Sequence, residues 1–347
     1  MTRQEIAEYP RRILFINVTR IGDTILVTPA IRAVAEAYPL AEITVWGHPK
    51  RSEIYRHLPF VTHVGSITKV SALWRGRTAH AQYDLAFVYG HDRALIKCAL
   101  RIAKRVVAFR QDDPVLNGRL FRAVEYPPAL TEHLVQLQLR LPAAIGISTS
   151  NLRLAYQVDE NEAGHARRKI ADSLPSESSP IIGLQVASFP TKDFRDWPIR
   201  HFIELADRIV LTYPQVHFLA LGGPDEQEKM AELTEHLRER ITVFAGKLSL
   251  RQTAALMSCL DLYIGVDTGP THIMGALHRP MVALYHPSFP RVLLEPIDNP
   301  YFRAVEHPDV DSPSPQNASM ADISVDTVWN AVRLLLEKFY GRTNLCQ

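Results

Sequence analysis

Four stretches of this chain hold residue types able to do chemistry, each where a strand-like run gives way to a helical pattern. The first is TRIGDT (19–24), after ILFINV. Asp23 offers a carboxylate, and Gly22 lets the backbone turn tightly or come close to a ligand. A carboxylate there can take a proton from an attacking hydroxyl as general base. It can equally accept N–H bonds at a helix start and complement the dipole. Pro29 bears on the choice. A helix starting at Thr24 puts Pro29 beyond the first turn, whereas a start at Thr28–Pro29 leaves Asp23 in a loop.

The second stretch is GVDTGPTH (265–272), after LYI. Pro270 suits an early helical position and Gly269 allows close approach. The N–H groups of such a turn, with Thr268, Thr271 and the helix dipole, form an anion site suited to a diphosphate. Asp267 and His272 add polar groups; a capped turn with a satisfied histidine is the plainer alternative. The third, SFPTKDFRDWP (188–198), brings the cations Lys192 and Arg195 to a strand end, where they can neutralise a developing phosphate charge or form a solvated basic loop. The fourth, GGPDE (222–226), offers Asp225 and Glu226 to ribose or sugar hydroxyls, or as helix-start acids.

Much else is excluded. No GxGxxG follows either first strand, and no GxxxxGK[ST], HExxH or Cys/His metal spacing occurs. Net charge is +2 over 347 residues, which gives no global signal for nucleic acid. A local basic run, Arg93, Lys97, Arg101, Lys104, Arg105, Arg110, Arg119 and Arg122, is opposed within 93–122 by Asp112 and Asp113. It is either a field for an anionic acceptor or lipid headgroup, or a solvated face. Aromatic interleaving is sparse there, which disfavours single-stranded nucleic acid. The three cysteines are far apart in sequence and fit a reducing, cytosolic setting. No signal-peptide core and no run of about 20 apolar residues is present.

The elements that must position these groups alternate. RILFINV (12–18), EITVWG (42–47), DLAFVY (84–89) and RVVAF (105–109) read as strands, and Leu26, Ala30, Ala33, Val34 and Ala37 mark one face of a helix. Residues 111–130 read as an irregular loop. The Ser/Pro-rich SLPSESSP reads as a domain boundary, and the alternation restarts with IIGLQVA, VHFLAL, ITVFAG, LYIGV and MVALYH. An amphipathic helix covers about 324–340. Strands alternating with helices predict α/β architecture with parallel sheets, a domain of 1–175 and another of 176–323. Ligands of such sheets lie at the carboxyl ends of strands.

Taken together, ILFINVTRIGDTILVTPAIRAVAEAYP, DWPIRHFIELADRI, LGGPDEQE and GVDTGPTHIMGALHRPMVALYHPSFP resemble glycosyltransferase family 9, the ADP-heptose:lipopolysaccharide heptosyltransferases, in the family's order and spacing. The resemblance covers most of the chain and is weakest across 48–180. It implies a GT-B fold: two Rossmann-like parallel-sheet domains facing a central cleft, with the acceptor on the N-terminal one. The nucleotide-sugar is expected on the C-terminal one, and residues 324–347 crossing back to the N-terminal domain. Asp23 matches the family's general base. Asp267, Thr268, Gly269, Pro270 and His272 match its donor-binding turn, and Asp225 or Glu226 falls near its acidic donor contact. Where the family often has a lysine two residues before Trp-Pro, this chain has Arg195, with Lys192 nearby. Arginine keeps the charge but changes the geometry. Thr19, Arg20, Gly22, Arg93 and Arg110 are the expected acceptor contacts.

The implied reaction is inverting transfer of a heptose or related sugar to a lipopolysaccharide core acceptor, by one in-line displacement at an oxocarbenium-like centre. No cofactor or protein-bound metal is required; magnesium is compatible with the sequence but not implied by it. The expected partners are a nucleotide-sugar and an anionic glycolipid or glycan, with no nucleic acid. The expected place is the cytoplasm, with peripheral contact at the cytoplasmic face of the inner membrane. A related transferase with another donor, or with a glycan or protein acceptor, is the main alternative. A non-catalytic nucleotide-sugar-binding module and a hydride-transferring Rossmann enzyme follow, the last disfavoured by the missing glycine fingerprint.

Overall fold

The computed structural model describes residues 9–76, 81–188, 190–223, 229–311 and 314–339. The chain divides into two compact units, Met1–Gln157 and Val158–Gln347.

In the first unit six strands are β1 (Arg12–Asn17), β2 (Glu42–Gly47), β3 (His63–Ser66), β4 (Tyr83–Tyr89), β5 (Ala103–Phe109) and β6 (Arg122–Val124). They form one sheet in the order β3-β2-β1-β4-β5-β6, parallel throughout. β1 lies between β2 and β4, with Ile13 opposite both Ile43 and Leu85. Its continuous apolar run follows from burial on both faces. Ile13 and Phe15 point into one core with helices Thr28–Ala37 and Leu134–Ala143, while Leu14 and Ile16 point into another with helices Lys69–Trp74 and Arg93–Ile102.

The second unit repeats the plan: β7 (Ile181–Gln185), β8 (His217–Leu221), β9 (Ile241–Val243), β10 (Leu262–Val266), β11 (Met281–Tyr285) and β12 (Phe302–Glu306). The order is β12-β11-β10-β7-β8-β9, again parallel throughout. Both sheets thus have the doubly wound Rossmann order, 3-2-1-4-5-6 when each unit's strands are counted from its own first. Such a sheet reverses winding between its strands 1 and 4, and ligands bind outside the carboxyl ends there. Those ends belong to β1 and β4 in the first unit and to β7 and β10 in the second.

Three expectations are corrected. Residues 111–130 are not wholly irregular: they contain helix Pro114–Gly118 and edge strand β6. The boundary between units falls at 157/158 rather than 175/176. Helix Glu160–Ser173 is tied to helix Leu250–Met257 by Arg251, whose Nε donates to Glu162 Oε1 at 2.8 Å while its Nη2 reaches Oε2. Asp159 and Glu162 form a capping box at the start of that helix. Third, the C-terminal helix Val325–Phe339 was expected to return to the N-terminal domain. The apolar face of its described part, Val328, Val332, Leu335 and Leu336, instead joins the second unit's core with Phe202, Leu205 and Ile209, and residues 340–347 lie outside the described residues.

Candidate active site

At the β1 end of the first unit the chain makes two helices where one was expected. Ile21–Leu26 ends at Val27, and Thr28–Ala37 starts with Pro29 at its first positions. Asp23 therefore lies in the first turn of a six-residue helix. The N-cap residue is Arg20, which makes no side-chain cap bond. The turn is built from below. Asn17, buried at the end of β1, donates from Nδ2 to the Tyr55 hydroxyl at 2.9 Å and accepts from the Thr19 hydroxyl at 2.7 Å. The Thr24 hydroxyl donates to the Arg20 carbonyl at 2.7 Å, and Arg51 Nη1 donates to the Thr19 carbonyl at 2.6 Å.

Asp23 is half-buried, and its charge is felt on two sides. Burial pushes the Tyr55 phenol well up; hydrogen bonds from Asn17 and Thr24 oppose this and the Asp23 charge adds to it. The Tyr126 phenol is also raised, first by burial and then by Asp23. Tyr126 packs edge-on against His91 and Phe109, with ring centroids at 4.8 and 5.1 Å. His91 follows β4, whose end turns through Gly90 at φ +94°. The carboxylate thus stands beside an aromatic wall at the point where the sheet reverses winding.

The expected acceptor cations are less available than their count suggests. Arg93 pairs with Asp113 at 2.6 Å and Arg110 with Glu125. Lys104 pairs with Asp84 at 2.9 Å, and Arg101 donates to the Ala72 and Arg75 carbonyls. Acids outside the run supply much of this neutralisation. Thr19 and Arg20 contribute to the turn itself, and Gly22 lies inside the short helix.

At the second unit's corresponding point, β10 runs into helix Gly269–Leu277, with Pro270 in its first positions. Its N-cap, Thr268, is extended and makes no side-chain cap bond. The Thr268 hydroxyl oxygen is buried with no partner among the described residues. Thr271, expected to face an anion, faces the core instead: its hydroxyl donates to the Val266 carbonyl at 2.6 Å and meets Tyr263 Oη at 2.9 Å.

Asp267 extends β10, its N–H donating to the Leu284 carbonyl at 3.1 Å, and is 3% exposed. Arg195 reaches it from the segment Pro190–Arg195 after β7, with Nη1 to Oδ2 at 2.9 Å. His272 Nε2 lies 3.4 Å from the other oxygen, Oδ1. The guanidinium lies 3.7 Å from the centroid of Phe289, and Lys192 Nζ is 5.4 Å from the same ring. Both cations therefore share one aromatic floor at the helix start. The segment that carries them is pinned by Ser188, whose hydroxyl donates to the Lys192 carbonyl at 2.6 Å and whose N–H donates to Asp196 Oδ1 at 2.7 Å. Asp225 and Glu226 lie outside the described residues.

Phe289, Asn17, Tyr55 and Tyr126 were not singled out from the sequence. Phe289 belongs to HPSFP, which carries no local signal that it floors a cation 94 positions earlier. Asn17, in contrast, was legible as the polar end of a buried apolar strand.

Two Rossmann-like units, one with a carboxylate at its switch point and the other with cations at an open helix start, are the make-up of a GT-B glycosyltransferase. The chain belongs to glycosyltransferase family 9: the family model for glycosyltransferase family 9 (heptosyltransferase) matches residues 81–305. It is 24% identical over 299 residues to lipooligosaccharide heptosyltransferase 2 of Haemophilus influenzae, covering 80% of this chain and 84% of that protein. It is 27% identical over 305 residues to lipopolysaccharide heptosyltransferase 1 of Pseudomonas aeruginosa, covering 80% and 79%. Among solved structures, a family 9 glycosyltransferase from Veillonella parvula superposes with a TM-score of 0.82 at 21% identity, over 94% of this chain and 97% of that one. That likeness shows the fold.

Proposed function

We propose that the protein is an inverting heptosyltransferase that moves a heptose from ADP-heptose to a lipopolysaccharide core acceptor at the cytoplasmic face of the inner membrane. The observation that carries the proposal is the β10 turn. A helix start without a side-chain cap, a buried Thr268 hydroxyl without a partner among the described residues and Arg195 over Phe289 together present fixed donors to a leaving diphosphate. Relatives named as heptosyltransferases that span about four-fifths of this chain support the sugar and the acceptor class.

In this reading Asp23 accepts the proton of the acceptor hydroxyl as that oxygen bonds to the anomeric carbon, and the nucleotide diphosphate departs on the opposite side. Position in a first helical turn orients the carboxylate. Asp267 holds the guanidinium in place rather than meeting the anion itself. Gly269 and Pro270 shape the approach to the helix start, and His272 steadies the second Asp267 oxygen. Lys192 is the second cation. Arg93 and Arg110 contribute to acceptor binding only where their pairs with Asp113 and Glu125 open.

Calorimetric titration of the purified protein with ADP, UDP and GDP tests the donor. ADP is expected to bind at least about tenfold tighter than the others, a difference of about 1.4 kcal/mol. Tighter binding of UDP or GDP would move the assignment to a related transferase with another donor.

A further inference from the structure

Thirteen large hydrophobic side chains are exposed among the described residues, and three of them fall within five positions: Val70 (70%), Leu73 (50%) and Trp74 (66%). They stand at i, i+3 and i+4 of helix Lys69–Trp74 and share one face. The helix buries Ala72 instead, so its larger apolar side chains face outward. A helix that turns a small residue to the core leaves half or more of Val70, Leu73 and Trp74 in solvent.

The surroundings of this face are cationic. Among the described residues, helices Lys69–Trp74 and Arg93–Ile102 with the adjoining Arg75 carry Lys69, Arg75, Arg93, Lys97 and Arg101 against Asp92, in a chain of net charge +2. Helix Arg93–Ile102 packs beside the apolar helix: Arg101 Nε donates to the Arg75 carbonyl at 3.1 Å. Arg93 and Lys97, one turn apart on that helix, are both exposed. Lys69, 69% exposed, sits at the start of the apolar helix itself. Asp92, Asp113 and Asp84 pair with Lys69, Arg93 and Lys104. Arg75 stacks over Trp46, a contact that leaves its charge in place.

We propose that helix Lys69–Trp74, with the adjoining cationic face of helix Arg93–Ile102, is the surface on which this protein docks to an anionic lipid bilayer. Val70, Leu73 and Trp74 enter the headgroup zone, where an indole is favoured, while the cations meet lipid phosphates. The excess positive charge selects an anionic bilayer over a second copy of the chain, whose identical face would repel it. The choice of occupant rests on the lipid-linked acceptor proposed above. The test uses neither donor nor acceptor, so its failure and the failure of that reading are separable.

The full-length protein is sedimented with phosphatidylcholine vesicles, with and without phosphatidylglycerol, at low and high salt, alongside the variant Val70→Ser/Leu73→Ser/Trp74→Ser and, separately, Lys97→Glu. The wild type is expected to bind the anionic vesicles at least about tenfold better than the neutral ones, and less at high salt. The triple variant is expected to lose at least about tenfold in binding while keeping its affinity for ADP, which reports the folded second unit. Lys97→Glu is expected to bind more weakly with apolar contact unchanged. Equal binding by the wild type and the triple variant would overturn the proposal, as would no binding by the wild type. A dimer in sedimentation equilibrium that the triple variant abolishes, without vesicle binding, would make the face an interface between copies and equally overturn it.

Discussion

Replacing Arg195 by alanine removes the cation from a buried pair whose side chains are 14% and 4% exposed. What remains is a buried Asp267 carboxylate. Its Oδ1 has no hydrogen-bond partner among the described residues, and His272 Nε2 stands 3.4 Å away. Breaking a buried pair from one side costs about 3–5 kcal/mol, because the surviving charge is left in a poor solvent. The lost stacking on Phe289 adds roughly 0.5–1 kcal/mol. For a unit of this size each kcal/mol moves Tm by about 2–4 °C, so Arg195→Ala should lower the second unit's transition by roughly 7–24 °C. Arg195→Ala/Asp267→Asn removes the orphaned charge as well and should regain at least about half of that loss. Arg195→Lys keeps the charge but neither the planar stack nor the fork, and should fall between. Differential scanning calorimetry on the intact protein resolves these transitions. A loss under about 2 °C for Arg195→Ala, or a double variant no more stable than the single one, would refute the claim that Arg195 and Asp267 stabilise each other. The same result decides how nucleotide affinities of Arg195 variants are read. A weak binder that has also lost several degrees has lost its site, not merely a contact.

Other consequences follow from the geometry. Thr268→Val keeps shape but removes the buried hydroxyl that the proposed function assigns to the diphosphate. It should weaken ADP binding by about 1.5–3 kcal/mol, roughly 10- to 150-fold by calorimetry, with Tm unchanged. Burial raises the Glu162 carboxyl, but the hydrogen bonds from Arg251 and the Asp159 N–H and the Arg251 charge outweigh it and hold the carboxyl below its ordinary value. A carboxyl lowered by folding gives stability that is complete above its unfolded value and is lost as pH falls through the folded one. Glu162→Gln should therefore flatten the second unit's loss of Tm below about pH 4.3, and an acid limb as steep as the wild type's would contradict this.

The sequence made the long, doubly buried elements legible and hid the marginal ones. β1, β2 and β10 are apolar runs bounded by turns, and helix Arg93–Ile102 alternates Leu95, Ile96, Cys98, Ala99 and Ile102 with exposed cations. β3, β6 and β12 are edge strands of their sheets. His63–Ser66 and Arg122–Val124 bury no residue fully, so neither alternation nor an apolar run marks them. The domain boundary was misplaced for a different reason. The Ser/Pro-rich segment at 173–180 looks like a linker, but the contact that assigns helix Glu160–Ser173 joins Glu162 to Arg251, 89 positions away. Amphipathicity of Val325–Phe339 was likewise readable, while the surface it covers was not, because periodicity names a face without naming its partner.

The site divides along the same line. Asp23, Arg195, Asp267 and Thr268 were visible because strand-to-helix turns of parallel sheets are where ligands meet such folds. The direction of Thr271 was not, since a threonine in a helix's first turn can face solvent or bond back to the strand. Nor was the floor that Phe289 makes. The basic run 93–122 was legible as charge, but its pairing with Asp84 and Glu125 depends on the β4 and β6 neighbours of β5.

The most direct test of the account is single-turnover transfer from ADP-heptose to a lipopolysaccharide core acceptor by Asp23→Asn, with the ADP dissociation constant measured on the same preparation. General-base catalysis is worth about 10²–10⁴ in rate. Asp23 and the β10 turn lie in different units, so the rate should fall by that factor while ADP affinity stays within about twofold of wild type. Transfer within about threefold of wild type would contradict the assignment of Asp23 as the base.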